Sequence, residues 1–149
     1  MTRTKRACQR GSVMVEFALS TVILFALTTG IFGFGYAINS YDNLQNAVRD
    51  AARYASRKPY DSATSTPSSA FQTAVRNMVL YQSTTAGTSP VVKGLAASNV
   101  ALTVTMQGGA PMEMNVAITN FQLDAVFFTI SLNGSPSVTF PYLGIPTPN

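Results

Sequence analysis

An apolar stretch of 26 residues near the start of the chain limits what this sequence can fold into. It runs from residue 13 to residue 38, and Glu16 is its only charged side chain. As a helix it would be about 39 Å long, whereas the hydrocarbon core of a bilayer is roughly 30 Å thick. Residues 13–38 are therefore predicted to form a single membrane-spanning helix.

The basic residues before this stretch predict its orientation. Four of the ten Lys and Arg residues precede it, namely Arg3, Lys5, Arg6 and Arg10. By the positive-inside rule they hold the N-terminal end in the cytosol and leave the C-terminal part on the other side. A cleaved signal peptide has the same polarity, but its apolar region is only about 7–15 residues long and ends in a small-residue cleavage site. We therefore expect a single-span protein with an exported C-terminal domain.

The rest of the composition argues against several classes of function. Beyond residue 11 the chain has six basic and six acidic residues, so the net charge of +4 belongs to the N-terminus and no nucleic-acid partner is predicted. Histidine is absent and Cys8 is the only cysteine, which removes the usual general base, the usual metal ligands and any intrachain disulfide. No catalytic motif is found in a fitting context, so we predict no enzyme, metal or cofactor.

The helical pattern continues beyond the membrane stretch as an amphipathic segment. Its apolar face is formed by Leu44, Ala47, Val48, Ala51, Ala52 and Ala55. The opposite face, which is predicted to be solvent-exposed, contains a row of arginines: Arg49, Arg53 and Arg57. Lys58 precedes Pro59, which disfavours further helix, so we predict one long helix over residues 12–58.

The remaining residues, 59–149, are predicted to form the exported domain. A second, shorter helix follows a polar connector, with Thr66 and Pro67 as its start. Alternating apolar residues from Val100 to Met106 and from Met112 to Ile118 predict two antiparallel strands joined at Gly108 and Gly109.

The later part of this domain is less defined by its pattern. Residues 126–132 fit either a strand or a buried helical turn, and residues 138–142 fit an edge strand. Residues 133–135 fit a hairpin turn better than a glycosylation acceptor. The predicted fold class is α+β, with the amphipathic half of the long helix covering one face of a small antiparallel sheet.

The junction between the basic leader and the membrane stretch has the sequence RGSVMVEFAL. Gly11 can be a simple interruption of the chain, and Glu16 a stray acid near the membrane surface. An ionisable group inside a span nevertheless costs a few kcal/mol and normally has a partner. Arg10 is the nearest cation in the chain, and a cut after Gly11 would create another at the amine of Ser12, in the same subunit or in a neighbour.

These residues resemble the type IV pilin superfamily, whose precursors have a short basic leader, a glycine at the cleavage site and a glutamate at the fifth mature position. More narrowly, RGSVMVEFAL, the downstream LQNAVRDAARYAS and the closing SVTFPY resemble TadE-like minor pseudopilins of tight-adherence (Flp) pilus systems. The resemblance is specific over residues 10–57. Residues 121–132 match no motif of this kind.

The resemblance implies roles for particular residues and partners. Residues 1–11 would be a leader removed by prepilin peptidase, with Gly11 before the cut bond and Ser12 as the mature N-terminus. Glu16 would pair with an N-terminal amine during assembly, and Phe17 would be the aromatic residue that follows it. The expected partners are prepilin peptidase, other pilins and pseudopilins, the pilus assembly platform and the bacterial inner membrane, where the C-terminal domain would be periplasmic or extracellular, or part of a pilus.

Small residues in the membrane stretch suit close packing of helices. They are Ala26, Gly30, Gly33 and Ala37. Each is also compatible with a plain membrane anchor. The alternative is therefore an uncleaved single-span envelope protein that binds a partner through its sheet. An envelope enzyme would require carboxylates such as Glu113 and Asp124 to converge in a pocket.

Overall fold

The computed structural model describes residues 5–125 and 127–144, with side chains from residue 11 onwards. Its elements are α1 (Lys5–Arg57), α2 (Ser69–Tyr81), a 3₁₀ turn (Ala97–Asn99), β1 (Val100–Gln107), β2 (Ala110–Ile118), β3 (Phe121–Ala125), β4 (Phe128–Leu132) and β5 (Ser137–Pro141). The predicted α+β class, with one long helix and one short one, is confirmed.

Helix α1 has 53 residues and is therefore about 80 Å long. It begins at Lys5, seven positions before Ser12, so the end of the predicted leader and the apolar stretch belong to one continuous helix. It ends at Arg57, two residues before Pro59. Among the described residues, the rest of the domain packs against α1 from about Gly33 onwards.

The apolar face of that C-terminal part forms one wall of the core. All six of its predicted members are fully buried: Leu44, Ala47, Val48, Ala51, Ala52 and Ala55. They pack with Phe71 and Val75 of α2 and with Met114 and Val116 of β2. The small alanines let α2 and the sheet approach the helix closely, and the prediction that α1 covers the sheet is confirmed.

The five strands form two antiparallel sheets rather than one. The first has the order β1-β2-β5, with β2 in the middle, and the second contains β3 and β4. Gly108 and Gly109 join β1 to β2 with φ angles of 61° and 82°. Two consecutive positive φ angles are what a tight hairpin turn requires, and glycine adopts them without strain.

The hairpin of β3 and β4 occupies the region whose structure the sequence left open. Residues 128–132 form a strand, which decides between the two alternatives for that segment. Asn99 positions the start of the hairpin, because its side-chain amide donates to the carbonyls of Thr119 (3.2 Å) and Asn120 (2.8 Å). Asn120 turns the chain there with a φ of 52°.

The interpretation of residues 133–135 as a hairpin turn is wrong. Strand β4, before them, pairs with β3, whereas β5, after them, pairs with β2. Residues 133–136 are thus a connection between two sheets.

The start of α2 also differs from the expectation. Ser68 is the N-cap, two residues after Thr66, and its hydroxyl accepts a hydrogen bond from the Phe71 N–H at 3.1 Å.

Residues 142–144 close the domain against the end of α1. The N–H groups of Leu143 and Gly144 both donate to the carbonyl of Ser56, at 2.8 and 3.1 Å. The hydroxyl of Tyr142 accepts from the Tyr60 N–H (2.8 Å) and donates to the Lys58 carbonyl (3.2 Å). Carbonyls near a helix end have no helical partner, so these bonds act as a cap supplied by the far end of the domain.

The phenols of this closure favour their neutral forms. Burial raises the pKa of Tyr60, and the negative charge of Asp61 and the neighbouring Tyr142 raise it further. Burial also raises the pKa of Tyr142, although its hydrogen bond from the Tyr60 backbone acts in the opposite direction. The closure is therefore adapted to protonated tyrosines.

Candidate functional site

The candidate site is the N-terminal half of α1, which projects from the domain. Among the described residues, one helix is long and apolar enough to cross a membrane, and its most apolar 18-residue window is only 6% buried. A core helix of a soluble protein would be covered by its own chain. Here the large apolar side chains between Val13 and Phe34 are all exposed, so this half of the helix needs an apolar surrounding from outside the chain.

Two threonine hydroxyls in this half are satisfied within the helix. The hydroxyl of Thr21 donates to the carbonyl of Phe17, and that of Thr28 to the carbonyl of Leu24, both at 2.8 Å. Such bonds to the preceding turn remove the need for water, which a bilayer core does not supply. These threonines are therefore compatible with a membrane span.

Gly11 and Ser12 lie in an open part of the helix. Both are exposed, and a Cβ added at Gly11 would have no neighbour within 4 Å outside the adjoining helical backbone. No described side chain covers Gly11, but the peptide bond between the two residues is part of α1. A peptidase that needs an extended substrate would have to open the helix at this point.

Glu16 and Phe17 point away from the rest of the chain. Glu16 is exposed and Phe17 is 70% exposed. Arg49 is the first basic residue after Glu16 and lies 33 positions further on, or about 50 Å along the helix. The side chain of Arg10 is outside the described residues. No described cation is placed to neutralise Glu16.

The four small residues have two different environments. Ala26 and Gly30 are exposed on the projecting helix. Ala37 is 2% exposed, and Gly33 is covered by the β3–β4 hairpin, since an added Cβ would lie 3.4 Å from Phe127 Cδ2 and 3.8 Å from Phe128 Cε1. Two of the four positions thus serve packing within the chain.

This contact of the hairpin with the helix was missed by sequence reasoning. The strand β3 has a regular alternation, FQLDA, in which Phe121, Leu123 and Ala125 are buried. That alternation was the available signal for a strand. A groove of about 830 Å³ lies beside the hairpin. Tyr36 and Lys93 line it together with Phe127 and Phe128.

The two carboxylates that an enzyme would require belong to different sheets. Glu113 is in β2, and Asp124 in β3 accepts a hydrogen bond of 3.1 Å from Thr129. Only Asp124 lines the groove. Within residues 5–125 and 127–144, no group of three His, Cys, Asp or Glu side chains is placed to hold a metal ion.

The arginine row lies on the outer side of the domain, where a second groove of about 620 Å³ runs between α1 and α2. Asp50, Arg53, Arg57 and Lys58 line it. The ammonium of Lys58 is 5.2 Å from the ring centre of Phe71 and 5.6 Å from that of Tyr54. Lys58 therefore supports the packing of the two helices in addition to lining the groove.

The first part of the chain is similar to a known protein family. The model of the family described as TadE-like protein matches residues 11–53, and the resemblance stated from the sequence is confirmed over that range. Searches of curated proteins and of solved structures found no match. The matched segment contains the projecting half of α1 from Gly11 onwards and most of its domain-facing half.

Proposed function

We propose, from the TadE-like match over residues 11–53, that this chain is a minor pseudopilin, a structural and assembly subunit of a tight-adherence (Flp) type IV pilus. The match carries the proposal because it begins at Gly11 and includes both the apolar and the amphipathic parts of α1. The family is one of pilus-associated structural proteins, so the projecting helix is assigned an assembly role and not only an anchoring one.

The first step of the proposal is removal of the leader after Gly11 by prepilin peptidase. Exposure of the Gly11–Ser12 bond supports it, because no part of the described domain has to move away. The helix must still open locally. Glycine makes that easier, since it is among the weakest helix formers and costs about 1 kcal/mol relative to alanine.

The second step is neutralisation of Glu16 by an N-terminal amine. Positions 12 and 16 are four residues apart, so they lie on the same side of the helix. After cleavage, the Ser12 amine would be the nearest positive charge to Glu16 in its own chain, and the same amine of a neighbouring subunit could replace it during assembly. The cost of an unpaired carboxylate in lipid provides the driving force.

In the third step, the projecting helices leave the bilayer and pack together in a filament, with the α+β domains outside. The exposed Ala26 and Gly30 support close approach of neighbouring helices. Before assembly, the protein would be held in the bacterial inner membrane with its N-terminus in the cytosol. The partners in this proposal are prepilin peptidase, other pilins and the assembly platform.

The test is the N-terminus of the mature protein. Purified from membranes of its native host, the protein should begin at Ser12, as measured by intact mass and N-terminal sequencing. Gly11→Val should leave the leader attached, because a bulkier residue precedes the bond. Gly30→Val is the matched control, since Gly30 is equally open, and it should be processed normally. Normal removal of the leader from the Gly11→Val protein would exclude this cleavage site.

One observation favours the alternative of an uncleaved, membrane-anchored envelope protein. Helix α1 runs without a break from Lys5 through Gly11, as expected for a permanent anchor. A native protein that begins at Met1 would support this alternative, and Glu16 would then require another cation, such as a lipid headgroup or Arg10.

A further inference from the structure

The β3–β4 hairpin runs alongside α1 toward the membrane-spanning part of the helix. Near its base, the hydroxyl groups of Tyr41 and Ser135 are 3.1 Å apart. At its tip, Phe127 and Phe128 lie against Gly33. Gly33 is eight residues before Tyr41, so the tip is about 12 Å closer to the membrane than the base.

The position of Gly33 relative to the bilayer follows from the length of the span. A hydrocarbon core of roughly 30 Å is crossed by about 20 helical residues. If the core begins at Val13, where the apolar stretch begins, it ends at Gly33. The tip of the hairpin is then at the outer boundary of the hydrocarbon core, and the rest of the hairpin is above it.

The hairpin becomes more exposed and remains apolar toward this boundary. Residues paired directly across the strands share a face, and one face contains three pairs: Phe121 with Leu132, Leu123 with Ile130, and Ala125 with Phe128. The first pair belongs to the core, with Leu132 only 7% exposed. At the tip, Phe128 is 40% and Phe127 63% exposed. The ring of Phe128 continues the core-facing row beyond the core, and Phe127 precedes it in the turn.

Charge limits how deeply the hairpin can enter the membrane. Asp124 and Thr129 form the pair next to the tip and face outward, so the carboxylate is roughly one residue spacing above Phe128, or about 3.4 Å. A carboxylate must remain hydrated or near headgroups. Lys93 lines the adjoining groove together with Asp124 and Phe128, so it adds positive charge to the part of the domain that contains the tip.

We infer that the tip of the β3–β4 hairpin, with Phe127 and Phe128, inserts into the outer interfacial layer of the phospholipid bilayer and is a second membrane contact of this protein. The inference rests on the membrane-anchored state of the proposed function. It gives the exported domain a fixed orientation on the membrane surface. The contact would be lost when the subunit leaves the bilayer.

The experiment uses the absence of tryptophan from the chain. Three single-tryptophan variants of the full chain, Phe127→Trp, Met112→Trp and Phe25→Trp, are reconstituted one molecule at a time in phosphatidylcholine nanodiscs. Met112 is the matched control because its side chain is exposed on the domain (48%). It lies beside the end of α1 at Ser56, since the backbone N–H of Tyr142 donates to the carbonyl of Met112. Phe25 lies in the middle of the predicted span and reports anchoring.

The expected result is that lipids spin-labelled at the headgroup reduce the emission of Phe127→Trp strongly and that of Met112→Trp very little. Aqueous iodide should instead quench Met112→Trp strongly and Phe127→Trp very little. Bromine atoms deep in the acyl chains should quench Phe25→Trp most.

Three results would overturn the inference, and they have different meanings. Equal iodide quenching of Phe127→Trp and Met112→Trp would show a tip in water. Protection of Phe127→Trp from both iodide and lipid quenchers would show that protein covers it. Failure of acyl-chain bromines to quench Phe25→Trp would show that the chain is not anchored, and the proposed function would fail with the inference.

Discussion

At the scale of single residues, Glu16 is the side chain whose environment is least satisfied by the chain itself. It is exposed on an apolar helix, and the first basic residue beyond it along that helix is Arg49. Its importance could be predicted from sequence because a lone acid in a membrane stretch is costly wherever the rest of the chain lies. No tertiary information was needed for that prediction.

Glu16→Ala should leave membrane insertion intact and impair assembly. The substitution removes a charge from the apolar stretch, so insertion becomes easier, while the partner of the N-terminal amine is lost. Assembly is measured as the amount of pili sheared from cells, and insertion as the amount of protein in the membrane fraction. Glu113→Ala is the control, since Glu113 lies in β2, outside the apolar half of α1. Wild-type pilus yield from Glu16→Ala cells would remove the assigned role.

Tyr60 and Tyr142 make the stability of the domain sensitive to alkaline pH. Their pKa values are raised above the ordinary value of 10.0 by burial, so the folded state holds their protons more tightly than the unfolded state. Their contribution to stability is complete below about pH 10 and is lost as the pH rises through the raised native values. Urea unfolding followed across this range should show the decline.

The Tyr60→Phe/Tyr142→Phe variant should show a shallower decline above about pH 10, because neither position can ionise. It should also be less stable at neutral pH, since the Tyr142 hydroxyl bonds to the backbone of Tyr60 and Lys58. An unchanged slope in this variant would mean that other groups cause the alkaline loss.

At the scale of elements, the parts with regular periodicity were predictable and their connections were not. Strands β1 and β2 alternate over eight and nine residues and meet at two glycines, so a local pattern specifies the pair. Residues 133–135 looked like a local turn. Strand β5 instead pairs with β2, which lies about 20 residues earlier, and short-range patterns do not encode such pairing.

The start of α2 also depends on a residue outside the local sequence pattern. The sequence offered Thr66 with Pro67, whereas the structure uses Ser68, whose hydroxyl bonds to both the Phe71 N–H and the Asp61 carboxylate. The choice depends on Asp61, seven residues earlier. A pattern based on the helix alone could not include it.

Ser68→Ala should lower the free energy of unfolding by about 1 kcal/mol, the usual effect of losing an N-cap. Thr66→Ala is the matched control and should be nearly neutral. The measurement is urea unfolding of the full chain in detergent, followed by far-UV circular dichroism. Equal effects of the two substitutions would contradict the assignment of Ser68 as the cap.

At the scale of the whole molecule, α1 combines two functions in one helix. Its first half is exposed and apolar, and its second half supplies the core with six fully buried side chains. Burial of Leu44 and Val48 alone contributes about 3–6 kcal/mol. The stability of a small domain is about 5–15 kcal/mol in total, so the C-terminal domain depends on α1 for its stability.

A fragment of residues 39–149 should therefore fold and be soluble, whereas residues 59–149 should not fold. The shorter fragment lacks the whole apolar face of α1 and leaves the covered side of the sheet open. Amide proton dispersion in NMR spectra and far-UV circular dichroism measure the difference. A cooperative unfolding transition in residues 59–149 would show that the sheet and α2 are self-sufficient.

The cap at the end of α1 makes completion of this domain depend on residues that come much later in the chain. The carbonyls of Ser56 and Lys58 receive their partners from residues 142–144, about 85 positions later in the chain. That contact can form only after residue 144 has reached the same side of the membrane as Ser56. Folding of the domain is therefore finished only after residues 142–144 have joined it, and until then the end of α1 lacks this cap.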